Sequence, residues 1–390
     1  MSPAPRSLSI ELRLQRPGLD IRAQLRALPG HVCALVGRPG SGKSALLQAA
    51  AGLAPALGGR VALGGDTLYD SAARINRPPH ERRLAWLDAH GHLFPHLDVR
   101  GNLLYGRGGP RVFGWGRASR SAAMDEVVAW LDLGTQLHHR PERLTPTQRL
   151  KVVLGRALLA SPNALLLDDP LGLVPEADRE PLLDLLAELP RRCRLPVVLV
   201  SPRMNEVIRL ADETVILHEG RMASAGPTAH ILSDVSLSTF LEGPHAGCVL
   251  EGEVKRHDIA WLLSEVDVAG QRVTVPATLH PVGGTVRLKV RARDISLHRH
   301  PPEDTSVSNH LRGRIHQVML AGGHHGTYGA VTVTLDRAQG LDGATGAQAA
   351  PGPQVWAMLT RKAIEQMGWA PGQPCVLGFK AMATQVSAWR

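Results

Sequence analysis

The sequence predicts an α/β domain, with a mainly parallel sheet covered by helices, followed by an all-β domain. Three observations lead there. Short, fully apolar runs at Val32–Val36, 164–167 and Val197–Val200 are separated by longer stretches of helical composition, the pattern of strands buried on both faces. A glycine-rich turn joins the first run to a helix-like segment, 44–50. From about Gly247 the texture changes to apolar–polar alternation at 250–254, 272–275, 285–290, 331–335 and 375–379, as in half-buried strands.

The chain has 390 residues, which at about 150 residues per domain gives two or three domains. The change of texture places the junction near 236–245, giving domains 1–240 and 241–390. The second is expected to be a small barrel. A weak internal repeat supports two copies of one β-unit: Gly252-Glu253-Val254 is echoed by Gly313-Arg314-Ile315, and 283–292 by 372–381. The polar, glycine-rich segment 341–353 reads as a surface loop in the second copy.

Composition narrows the function classes. With 44% hydrophobic and 20% charged residues the chain is globular rather than disordered. It has no uncharged apolar run of about 18 residues, so no membrane span of its own is expected. Its start lacks the apolar core of a signal peptide. Four dispersed cysteines suggest neither a disulfide framework nor a zinc site, which fits a reducing cytoplasm. The net charge of +9 rests on 44 basic residues of which only six are lysine, a compositional bias toward arginine rather than a patch built for nucleic acid. Aromatic residues, at 4%, are too few for base-stacking platforms. Nucleic acid is therefore not expected as a partner. The histidine pairs lack aligned carboxylates or cysteines and read as solvated loops. Phe113-Gly114-Trp115-Gly116, within the basic segment 107–120, reads as an exposed loop or as a contact for a membrane partner.

The chemistry is concentrated in Gly37-Arg38-Pro39-Gly40-Ser41-Gly42-Lys43-Ser44, a complete G-x-x-x-x-G-K-[ST] phosphate loop between a strand and a helix. Glycines let backbone N–H groups turn inward toward phosphate oxygens, and the helix N-terminus adds positive potential. Lys43 would neutralise the β- and γ-phosphates, and the Ser44 hydroxyl would hold Mg²⁺. About 125 residues on, the apolar run Leu165-Leu166-Leu167 ends in Asp168-Asp169, and Asp168 supplies a second anchor for Mg²⁺.

Taken with these motifs, Leu93-Phe94-Pro95-His96-Leu97, Gly155-Arg156-Ala157-Leu158-Leu159 and Ala292-Arg293-Asp294-Ile295-Ser296-Leu297 resemble, in order, the ATP-binding subunit of bacterial ABC importers, most closely the molybdate type. The resemblance covers nearly the whole chain. It implies a P-loop NTPase fold of the ABC type followed by an OB-like Mop/TOBE β domain in two repeats, with ATP and Mg²⁺ as cofactors. It further implies a homodimer or heterodimer of ATP-binding subunits, two membrane permease subunits, and, indirectly, a periplasmic binding protein. The location it implies is the cytoplasmic face of the bacterial inner membrane. In that family, ATP-driven closure of the dimer drives transport.

Several family positions are substituted. Ala89 stands at the Q-loop glutamine, Asp169 at the catalytic glutamate, Pro202 at the switch histidine and Pro175 at the D-loop aspartate. The signature reads Leu144-Thr145-Pro146-Thr147-Gln148, where Thr145 and Gln148 would face the partner's ATP. No aromatic residue precedes Tyr69, so the adenine-stacking position is unfilled. Groups that hold ground-state nucleotide are kept, while groups that act on the γ-phosphate and water are replaced, so ATP binding with weak hydrolysis is expected. In the β domain, the segment 305–313 resembles the family's oxyanion motif. Ser306, Ser308, Asn309 and Arg312 are its candidate ligands for molybdate or tungstate, with Ser308 in place of the usual arginine. A non-transporting ATP or oxyanion sensor, or a degenerate paralogue, are the alternative readings.

Overall fold

A computed structural model describes residues 6–105, 120–240, 247–320, 327–337 and 352–389. The Phe113–Gly116 segment and nearly all of the 341–353 loop lie outside them. The chain forms two compact units that divide between Ala225 and Gly226, ahead of the expected junction at 240/241. The short helix Thr228–Ser233 goes with the second unit for a local reason. The Ser233 hydroxyl accepts from the Val249 N–H at 2.9 Å and donates to the Val249 carbonyl at 3.2 Å.

The first unit is organised around an eleven-stranded sheet. Its strands are β1 (Leu8–Arg16), β2 (Leu19–Ala27), β3 (Val32–Val36), β4 (Gly58–Leu63), β5 (Asp66–Asp70), β6 (Ile75–Asn76), β7 (Leu84–Asp88), β8 (Ala164–Asp168), β9 (Val197–Val200), β10 (Glu213–His218) and β11 (Arg221–Pro227). They run in the order β6-β5-β4-β1-β2-β11-β10-β3-β9-β8-β7. The expected parallel sheet is one half of this. Neighbours from β10 through β3, β9 and β8 to β7 are parallel, and β3, β8 and β9 are buried along their whole length. The other half, β6-β5-β4-β1-β2, is antiparallel and corrects the expectation of a mainly parallel sheet. Leu8, Ile10, Leu12 and Leu14 on β1, and Ile21, Ala23, Leu25 and Ala27 on β2, are buried at every second position, the mark of a hairpin with one wet face.

Helices cover the parallel half. The helix Lys43–Ala51 follows β3 and buries Leu46, Leu47 and Ala50 against the strands. Its C-terminal carbonyls, Ala49 and Ala50, accept hydrogen bonds from the buried Arg82 guanidinium at 3.0 and 2.7 Å. A cation there meets the negative end of the helix dipole. The helices Val99–Tyr105, Arg120–Trp130 and Pro146–Leu159 share a separate apolar cluster that includes Leu103, Val127, Leu131 and Val152. Among the described residues no helix is long and apolar enough to cross a membrane.

The second unit contains β12 (Gly247–Asp258), β13 (Leu263–Val268), β14 (Gln271–Pro276), β15 (Thr285–Arg291), β16 (Ser296–His298), β17 (Asn309–Leu320), β18 (Tyr328–Leu335), β19 (Gln354–Thr360), β20 (Pro374–Phe379) and β21 (Thr384–Ala388). They form two five-stranded sheets, β14-β13-β12-β15-β21 and β16-β20-β17-β18-β19, over one continuous core. The two copies exchange their last strands: β16 of the first pairs with β20 of the second, and β21 of the second with β15 of the first.

The repeat seen in the sequence is exact in its hydrogen bonds. Gly283 N–H donates to Val254 O at 2.8 Å and Val254 N–H to Gly284 O at 2.9 Å. In the second copy Gly372 N–H donates to Ile315 O at 2.8 Å and Ile315 N–H to Gln373 O at 2.9 Å. Both long strands shift register just beyond, after Val254 and after Ile315. A Cβ at Gly252 would lie 2.5 Å from Asp267 O, and one at Gly313 2.6 Å from Thr334 O, so the glycines let the neighbouring strand approach. Gly313→Ala should destabilise the protein by about 1–3 kcal/mol through this overpacking, read as a lower denaturation midpoint in urea, and Gly252→Ala should do the same.

Candidate functional site

The phosphate loop leaves the end of β3 with three glycines at positive φ, Gly37 (+154°), Gly40 (+82°) and Gly42 (+101°). They are needed for different reasons. A Cβ on Gly37 would lie 2.1 Å from Leu217 O, and one on Gly42 2.5 Å from the Ile21 side chain. Gly40 has open space around it and is fixed by its backbone conformation. Arg38 and Pro39 form the exposed tip, and Ser41 is buried beneath it. Lys43 Nζ folds back over the loop and donates to Gly37 O at 2.7 Å, Arg38 O at 2.8 Å and Ser41 Oγ at 3.2 Å. Burial lowers its pKa, with Asp168 pulling the other way. The cradle therefore has the glycine geometry, the cation and the helix N-terminus that a triphosphate requires.

Strands β3, β9 and β8 lie side by side in parallel register, Val200 being opposite both Leu35 and Asp168. Their C-terminal ends therefore open on the same edge as the loop. Ser44 Oγ donates to Asp168 Oδ1 at 2.9 Å. Burial raises the Asp168 pKa, the Ser44 bond opposes that, and Asp88 and Asp169 add to it while Lys43 lowers it. A hydroxyl and a carboxylate in contact beside a phosphate cradle are hard oxygen donors of the kind Mg²⁺ takes, and the pair fits the ion. Asp88, opposite Asp168 on β7, holds the turn that follows, accepting from Gly91 N–H at 2.9 Å and meeting His92 Nε2 at 2.9 Å. Ala89 comes next and brings only a methyl group.

Asp169 sits in left-handed conformation, φ +49°, with its N–H donating to Val200 O at 2.8 Å. Burial raises its pKa, and Arg203 and Arg179 oppose the rise. Arg203 Nη1 donates to Asp169 Oδ1 at 3.3 Å and to Glu206 Oε1 at 3.5 Å. Glu206 is buried and also accepts from Ser201 Oγ at 2.6 Å. Arg203 thus brings a further cation to this edge, one residue beyond Pro202, at a position that the sequence motifs do not mark. Its only signal was a basic residue in the turn after a buried strand, at the height of a carboxylate on the next strand.

The signature residues take a structural role within the chain. Thr145 caps the helix Pro146–Leu159 and Gln148 completes a capping box: Thr145 Oγ1 accepts from Gln148 N at 3.2 Å, and Gln148 Oε1 accepts from Thr145 N at 3.0 Å. The T-x-x-Q spacing signals this. Thr147 donates to Asp178 at 3.1 Å. A cavity of about 490 Å³ separates this helix start, at Pro146 and Arg149, from Ala89 and His92 after β7 and from Leu173. Two further residues brace this region. Arg156 donates to Gly91 O at 2.9 Å and His92 O at 3.0 Å, and buried Asn102 accepts from Phe94 N at 2.8 Å and donates to Leu97 O and Asp98 O.

In the β domain Asn309 is engaged elsewhere than the other three oxyanion candidates. Ser306, Ser308 and Arg312 are exposed. Ser308 Oγ accepts from Ala381 N at 3.2 Å, and the Arg312 N–H donates to Gln271 at 2.7 Å. Asn309 is buried and clamps β14, its Oδ1 accepting from Thr274 N at 2.7 Å and its Nδ2 donating to Thr274 O at 2.9 Å. Both ends of the amide are engaged, so Asn309 ties the two sheets together.

A phosphate loop at the C-terminal end of a parallel strand, an aspartate bonded to its serine, a capped helical subdomain and a two-copy β domain define an ATP-binding chain of the ABC type. The ABC transporter family model matches residues 22–172. The molybdenum import ATP-binding protein ModC of Rhodobacter capsulatus is 36% identical over 311 residues, covering 80% of each chain. ModC of Rhodospirillum rubrum is 36% identical over 377 residues, 96% of each chain, and ModC 2 of Azotobacter vinelandii is 36% identical over 79% of each. This chain belongs to the molybdenum import ATP-binding (ModC) family.

Asn309→Ala should lower stability by about 1–3 kcal/mol, because it strips the Asn309 partners from the backbone N–H and C=O of Thr274; chemical denaturation of the full chain measures it.

Proposed function

We propose that this chain is the ATP-binding subunit of a bacterial molybdate importer, binding ATP with Mg²⁺ firmly and hydrolysing it slowly. The observation that carries the reading is the complete cradle, Gly37 to Ser44 with Lys43 folded across it and Ser44 against Asp168, in a chain of the ModC family. The backbone of the loop and Lys43 hold the phosphates, and Ser44 and Asp168 hold the metal. Mg²⁺, when bound, neutralises charge on the β- and γ-phosphates. The subunit works as a homodimer or heterodimer against two membrane permease subunits at the cytoplasmic face of the inner membrane, with a periplasmic binding protein delivering the anion.

Slow turnover follows from the residues at the reacting end. Asp169 is one methylene shorter than glutamate, so its carboxylate falls short of the position from which a glutamate would orient water. Ala89 and Pro202 supply no side-chain hydrogen bond. Loss of one positioned group costs about 10²–10³ in rate, and losses within one unit are not additive. The full chain should bind ATP-Mg²⁺ in equilibrium dialysis and release phosphate at least about 10²-fold more slowly than an intact relative measured alongside, while Lys43→Ala abolishes binding. Binding no tighter than that of the Lys43→Ala variant would end the proposal.

The hydroxyls of Ser306 and Ser308 with Arg312 remain candidate oxyanion contacts of the β domain. Calorimetry of the full chain with molybdate should give heat that Arg312→Ala removes; equal heat from both proteins would exclude Arg312.

A further inference from the structure

The nucleotide site contains a guanidinium that none of its expected parts accounts for. Arg203 lies in the turn after β9, the strand between β3, which feeds the phosphate loop, and β8, which ends in Asp168 and Asp169. The parallel register sends all three chain ends out of the same edge. Arg203 therefore lies at the same edge as the cradle, against Asp169, the residue that follows the Asp168 bonded to Ser44.

Its present contacts are those of a parked group. Arg203 Nη1 reaches one oxygen of Asp169 at 3.3 Å and one oxygen of Glu206 at 3.5 Å. Both are longer than a charge-assisted bond in good geometry, about 2.7–2.9 Å, and neither is bidentate. The side chain is 33% exposed, so moving it does not require opening the core. The backbone around it is firmly held: Arg203 N–H donates to Ser201 Oγ at 3.0 Å, and the same hydroxyl donates to Glu206 at 2.6 Å. The turn is fixed while the guanidinium is loosely held between two carboxylates.

We infer that Arg203 is the residue that reads the terminal phosphate, leaving Asp169 for the γ-phosphate of bound ATP and returning to Asp169 when ADP remains. The inference rests on the reading of the chain as an ATP binder. Guanidinium is the side chain best matched to phosphate, planar and permanently charged, and a terminal phosphate offers it more negative charge than one carboxylate. Pro202, with neither an N–H nor a polar side chain, leaves that contact to its neighbour. Arg203 then has two linked tasks. It favours triphosphate over diphosphate, and by departing it releases the Asp169 carboxylate to face water.

The test compares ATP and ADP binding, each with Mg²⁺, by calorimetry on the full chain and on Arg203→Ala, Arg203→Gln and Arg203→Lys. Loss of one charge-assisted contact should weaken ATP about tenfold or more in the Ala and Gln variants while ADP changes less than about twofold, and Lys should recover part of the difference. Thermal melts identify any variant that fails to fold, and Arg203→Lys then carries the comparison, with a smaller loss confined to ATP. Equal weakening of both nucleotides, or no weakening of ATP, overturns the inference and leaves the ATP-binding reading standing. A fixed-clamp role for Arg203 would show as unchanged ATP affinity with faster phosphate release from Arg203→Ala, which also overturns it. Failure of the unaltered chain to bind ATP removes both.

Discussion

The parallel register of β3, β9, β8 and β7 is the constraint on which the site depends. Each of these strands stops at nearly the same level, with Leu35 opposite Val200 and Val200 and Asp88 opposite Asp168. Because side chains and chain ends are in step, the glycine turn after β3, the carboxylates ending β8 and the turn after β9 meet at one edge. Sheets of this kind bind ligands beyond the carboxyl ends of their strands. Full burial of β3, β8 and β9 makes that register costly to slip, since every apolar side chain would move together.

Much of this was legible in the sequence. The apolar runs marked β3, β8 and β9, and the phosphate loop announced its own geometry, because Gly37 and Gly42 sit where a Cβ would strike Leu217 O and Ile21. The two-copy β domain was visible in glycines that recur because the same strand approach recurs at Gly252 and Gly313. The antiparallel half of the first sheet is equally present in the alternation of β1 and β2.

Partner choice was not legible. A polar side chain has many potential partners, and tertiary placement alone decides which it meets. Asn309 lies in an oxyanion-like motif, yet its amide faces Thr274 across the sheets. Thr145 and Gln148 fit a signature that faces nucleotide, yet within the chain they close a capping box. Arg203 carries no motif of its own, and the importance of Arg203, Arg156 and Asn102 follows from the backbone and carboxylate groups that folding brings to them. Residues whose role is dictated by local backbone, as with glycine and proline, are legible in the sequence; those whose role depends on residues distant in sequence are not.

The crossing of β16 and β21 between the two copies has a consequence for how this half of the molecule assembles. Each sheet lacks an edge until the other copy donates one, so a solitary copy would present an unsatisfied strand rim and seek a twin. Fusing two copies in one polypeptide turns that search into an intramolecular event, replacing a concentration-dependent encounter with a tether. The duplicated domain is then a two-protomer complex written as a single gene, and it must melt as one because neither half possesses all its own strands.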